Sequence, residues 1–179
     1  NQLPHLAKEM TNLNRTRIAT LESFEKLIEA ETHEEVKFEY YYDNAISYKV
    51  SDKKVYFRES QKENKPKYEV YRIGIEETDS RLLFEADFRR DDDRTRQKIL
   101  EITVDNTSIR KFLLLSVKSF IERSRSKKIL GKNEPLEAIL KNVRIPKFKT
   151  NIQENSAKIS NLMDEFDSKH IIDQSLSQV

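Results

Sequence analysis

The sequence contains no cysteine and only two glycines among its 179 residues. Without cysteine the chain forms no disulfide bond, no thiolate zinc site and no cysteine nucleophile. Loops that cradle phosphate groups need closely spaced glycines, and Gly74 and Gly131 stand far apart. The two shortages therefore exclude cysteine chemistry and argue against a nucleotide-binding loop.

Other catalytic signatures are equally scarce. The three histidines (His5, His33 and His170) fall in separate segments, and no two of them have the spacing of metal ligands. The acidic run at residues 91–93 is flanked by arginines, which compete with a bound cation. No Gly-x-Ser-x-Gly nucleophile motif occurs. We predict a protein without metal or cofactor that is not an enzyme.

An excess of one charge sign is missing too. Lys and Arg total 33 and Asp and Glu total 31, for a net charge of +2. Dedicated nucleic-acid clamps usually carry a large basic excess. No apolar run approaches the roughly 18 residues of a membrane helix, and no signal peptide is visible. These features predict an intracellular protein of the nucleus or cytoplasm.

The first 31 residues predict a long helix. Its first apolar residues are spaced by three, four and three positions, as at the start of a heptad repeat: Leu3, Leu6, Met10 and Leu13. The repeat then meets Arg17, and the apolar face shifts toward Leu21 and Phe24. Two interpretations stay open. The helix packs on its own domain, or it is the end of a coiled coil whose apolar residues bind a partner.

Residues 32–145 predict an α+β globular domain. Between residues 35 and 104, polar residues alternate with β-branched and aromatic ones, a period typical of half-exposed strands. The separators are too short for the crossover helices that parallel strands need. We expect an antiparallel meander of five or six strands with one solvated face, closed by C-terminal packing helices.

Two such helices are predicted, over residues 107–129 and 135–143, and the first should be the best buried. Its end and the residues beyond it carry five cations: Arg123, Arg125, Lys127, Lys128 and Lys132. They either complement the helix dipole or bind the phosphates of a nucleic acid or a phospholipid. Ser124 and Ser126 lie between these cations, in a context that suits basophilic kinases.

Residues 146–179 predict a polar, acidic tail. It starts as an extended linker around Pro146, and further on apolar residues recur at helical spacing: Ile159, Leu162, Met163 and Phe166. We expect a short amphipathic helix outside the folded core, acting as a partner-binding or self-docking arm. The basic residues 123–132 are the nearest rim for its acidic residues, Asp164, Glu165 and Asp167.

Three consecutive tyrosines occupy residues 40–42. Consecutive residues of a strand point to opposite faces, so at least one of the three, such as Tyr41, should face solvent. Exposed tyrosine is typical of protein interfaces and of base-stacking platforms. The alternative is that these rings fill an ordinary sheet face.

The order of elements resembles the RWD domain of kinetochore subunits, in which a coiled coil precedes a small globular domain. The resemblance covers about residues 1–143 and is carried by four segments: 3–28 as the coiled-coil end, 67–73 and 81–88 as central strands, and 108–128 as the packing helix. A sheet closed by a C-terminal helix is also similar to a pleckstrin-homology domain. The RWD resemblance implies a non-enzymatic assembly role, often as a heterodimer.

We therefore expect a protein–protein interaction module that acts as a subunit or scaffold of a larger complex, as a hetero- or homodimer. The resemblance points to an assembly of the kinetochore type. The alternative is a nucleic-acid or phospholipid-binding domain that uses residues 123–132.

Overall fold

The computed structural model describes residues 2–40, 50–56, 69–90, 93–127, 140–148 and 152–176. Three long helices lie in these stretches: α1 (Leu3–Glu29), α2 (Thr107–Lys127) and α3 (Ile152–Leu176). They are accompanied by strands β1 (Thr32–Lys37), β2 (Val50–Val55), β3 (Glu69–Thr78), β4 (Arg81–Arg90), β5 (Asp93–Val104) and β6 (Arg144–Phe148). The predicted α+β class, with a long N-terminal helix and packing helices after the strands, is confirmed.

Helix α1 begins at Leu3 and continues without interruption for 27 residues, about 40 Å. Pro4 lies in the first turn, where its missing N–H is not needed and its fixed φ suits the helix. The helix ends at Glu29, and both the Glu31 N–H and the Thr32 hydroxyl donate to the Ile28 carbonyl. Among the described helices, none is long and apolar enough to cross a bilayer.

The larger sheet has four antiparallel strands in the order β2–β5–β4–β3. Strands β3, β4 and β5 form the predicted meander, with Asp79 and Ser80 turning between β3 and β4. Asp79 has a φ of 52°, a left-handed conformation that short polar side chains tolerate. Strand β2 departs from the meander because it pairs with β5, Val55 opposite Leu100.

A second, two-stranded sheet corrects the prediction of a single meander. Strands β1 and β6 pair antiparallel, and Lys147 donates a 2.8 Å hydrogen bond to Glu34, 113 residues away in sequence. This hydrogen bond raises the pKa of Lys147. Strand β6 lies where an extended linker was predicted, and Pro146 within it faces Glu35. Proline is tolerated in strands with an unpaired edge, so Pro146 is compatible with a two-stranded sheet.

Helix α2 lies between the larger sheet on one side and α1 and α3 on the other. Because other elements pack on both sides of it, the middle of this helix is buried all round, and every residue from Phe112 to Val117 is at most 9% exposed. The sheet contributes a face of eight buried residues: Ile73, Ile75, Leu82, Phe84, Ala86, Leu100, Ile102 and Val104. The prediction that this helix is the best buried is consistent with its central position.

The predicted tail forms α3, which packs on α1 and α2. Ile159, Met163 and Phe166 are 0%, 1% and 6% exposed and belong to the main hydrophobic core. The Phe166 ring stands edge-on to Phe24 of α1, with 6.1 Å between ring centroids. The structure therefore corrects the expectation of an arm outside the core; of the two roles considered for it, the helix adopts self-docking.

Candidate interaction surface

The first half of α1 exposes four large apolar side chains. Residues 3–16, which we call the free half, are all exposed. The apolar stripe within it comprises Leu3, Leu6, Met10 and Leu13, which are 82%, 52%, 71% and 70% exposed. Single exposed apolar residues are common on protein surfaces, whereas a contiguous apolar patch marks an interaction site.

The apolar stripe lies on the same helix face that the domain buries further along. Leu3, Leu6 and Met10 each precede a buried residue by 18 positions, and 18 residues are five full turns. Those buried residues are Leu21, Phe24 and Ile28, with exposures of 5%, 0% and 3%. We call residues 17–29 the packed half. The predicted shift of the apolar face is therefore wrong: one face runs along the whole straight helix, and α2 and α3 cover only its second half.

Arg17 marks the boundary between the two halves. Its guanidinium donates to the Glu122 carboxylate of α2 at 2.5 Å and to the Asn14 side-chain oxygen at 2.9 Å. The residue at the heptad position after Leu13 is therefore a cation, Arg17, and it is bound to a carboxylate of the chain's own domain. A shallow groove of about 360 Å³, lined by Met10, Leu13 and Arg17 among others, adjoins this boundary.

The basic segment 123–132 does not offer Arg123 as an uncommitted phosphate ligand. Its guanidinium contacts the carboxylates of Glu25 and Glu35 at 3.3 and 2.8 Å. Arg125 and Lys127 belong to the end of α2, and Lys128 and Lys132 lie outside the described residues.

Ser124, one of the two serines in a kinase-like context, is buried. It is 3% exposed, and its hydroxyl donates to the Phe120 carbonyl at 2.7 Å. A kinase needs an accessible hydroxyl, so phosphorylation of Ser124 would require α2 to open locally.

The residues predicted for the tail have partners within this chain. Leu162 is half-buried against the core beside Ile159, Met163 and Phe166. Asp167 accepts a hydrogen bond from Lys111 of α2, and Glu165 accepts one from Lys169. Among the described residues, the cations that meet Asp167 and Glu165 are therefore Lys111 and Lys169, and the four apolar residues are not an open surface.

The outward face of the larger sheet carries ion pairs between strands. Glu101 of β5 contacts Lys54 at 3.8 Å and Arg81 at 3.4 Å. Arg96 donates to Asp87 at 2.8 Å, and this hydrogen bond raises the pKa of Arg96. Such a face differs from the aromatic platforms on which nucleic-acid bases stack. Tyr41, proposed as an exposed contact, lies outside the described residues.

A cavity of about 700 Å³ adjoins the end of α1 and strand β1, and its lining is rich in carboxylates. Two of them, Glu25 and Glu35, hold Arg123, and Glu34 holds Lys147. In the part of the chain that the structure describes, no three His, Cys, Asp or Glu side chains are placed to hold a metal ion. Three of the carboxylates that line the cavity are therefore engaged by cations of this chain.

The sequence matches no family model, and the searches of curated proteins and of solved structures gave no match. The resemblances to RWD and pleckstrin-homology domains stay predictions from the pattern of elements. Function must be inferred from the surfaces of this chain itself, and the apolar stripe of α1 is the most distinctive of these.

Proposed function

We propose that this chain is a non-enzymatic protein–protein interaction module and acts as a subunit of a larger complex. The observation that carries the proposal is the apolar stripe: four large apolar side chains, each at least 52% exposed, follow one another along one helix face. Burying one such side chain contributes roughly 1.5–3 kcal/mol. The stripe therefore favours association with another apolar surface.

A partner would also stabilise the free half of α1. It includes Thr11, Asn12, Asn14 and Thr16, residue types with low helix propensity. Most of the stability of helices in proteins comes from tertiary packing rather than from intrinsic propensity. A bound partner would supply for residues 3–16 the packing that α2 and α3 supply for the packed half.

The RWD resemblance suggests a setting for this module, a kinetochore-type assembly in the nucleus, although the apolar stripe specifies no setting. The alternative function, nucleic-acid or phospholipid binding through residues 123–132, gains no support from Arg123, which two carboxylates engage. The two functions differ in salt dependence. Phosphate binding weakens steeply with added salt, whereas an apolar interface does not.

The proposal is tested by Leu6→Glu combined with Leu13→Glu, which places two carboxylates in the apolar stripe. The matched control is Asn12→Glu with Ala19→Glu, since both residues are exposed and lie on the opposite side of α1. Tagged wild-type and variant chains are purified from cells, and the size of each complex is measured by light scattering. We expect the stripe variant to recover at least tenfold less partner than the wild type. The control should recover as much partner as the wild type.

Both variants should unfold with a free energy within about 0.5 kcal/mol of the wild type, because exposed positions tolerate substitution. If the stripe variant unfolds the whole domain, the free half belongs to the core and the proposal fails. It also fails if the stripe variant recovers as much partner as the control.

A further inference from the structure

We draw no further inference here: the strongest candidate, the apolar stripe on the free half of α1, already carries the proposed function, and nothing in the part of the chain that the structure describes shows what covers it.

Discussion

The two halves of α1 carry the same apolar pattern and meet opposite environments. Leu6 is 52% exposed, and Phe24, five turns further along the same face, is fully buried between Phe112 and Phe166. Helix α1 is continuous through both halves. Periodicity therefore determines which face of a helix is apolar, and the neighbouring elements determine where along the helix that face is covered.

The largest difference between the halves should appear on truncation to alanine. Phe24→Ala leaves a cavity beside two aromatic rings and should cost about 3–5 kcal/mol of unfolding free energy. Leu13→Ala in the free half should change it by no more than about 0.5 kcal/mol. Urea unfolding of dilute chains measures both. Equal losses would mean that the free half is packed after all.

The next largest loss of unfolding free energy is expected for substitutions in α3, because this helix covers the packed half of α1. Met163 is 1% exposed, and Met163→Ala should cost about 2–5 kcal/mol. Glu165→Ala on the exposed side of α3 loses only the surface pair with Lys169, about 0.5 kcal/mol. Thermal and urea unfolding report both variants. If Met163→Ala leaves the stability unchanged, α3 is an arm outside the core, as the sequence predicted.

The smallest effect is expected at the boundary. Arg17→Ala removes a partly exposed ion pair with Glu122, whose side chains are 40% and 24% exposed. The loss should be about 0.5–1 kcal/mol and should shrink at high salt, since screening weakens such pairs. Hydrogen exchange should show faster opening of residues 3–16 in this variant. A loss that salt leaves unchanged would mean that Arg17 contributes through packing rather than through charge.

Local patterns in the sequence predicted much of this fold. The long first helix, the alternating strands of the meander and the apolar second helix each depend on the spacing of near neighbours. The apolar stripe was recognised for the same reason, as Leu3, Leu6, Met10 and Leu13 lie on one face of any helix they form. The turn at Asp79 was predictable in the same way, because a short polar separator lies there between two strand patterns.

Long-range pairings were missed or misplaced. Strand β6 contains Pro146, which indicated a linker, and its partner β1 stands more than 100 residues earlier. Strand β2 was expected beside its successor in sequence and lies instead beside β5. A strand pattern gives the face of each residue and does not name the neighbouring strand, so strand order requires the assembled sheet.

The candidate site divides in the same way. For Arg123 the sequence left two predictions open, complementing the helix end or binding phosphate. Its actual partners, Glu25 and Glu35, lie far from it in sequence, so no local pattern indicated them. The tail residues Ile159, Met163 and Phe166 were correctly placed on one helix face, and their polar neighbours suggested an arm outside the core. Only the groove formed by α1 and α2 shows that this face is covered.

The sequence by itself determined the helix and strand periods, the absence of cysteine chemistry and the apolar face of α1, because each depends on residue type and on spacing within a few turns. The tertiary structure decided that α3 covers the packed half and leaves the apolar stripe of residues 3–13 open. The part of α1 that is covered depends on how far α2 and α3 extend along it. Contacts such as Arg17 with Glu122 and Phe24 with Phe166 determine that extent. Such contacts join residues more than 100 positions apart, beyond the reach of any local pattern.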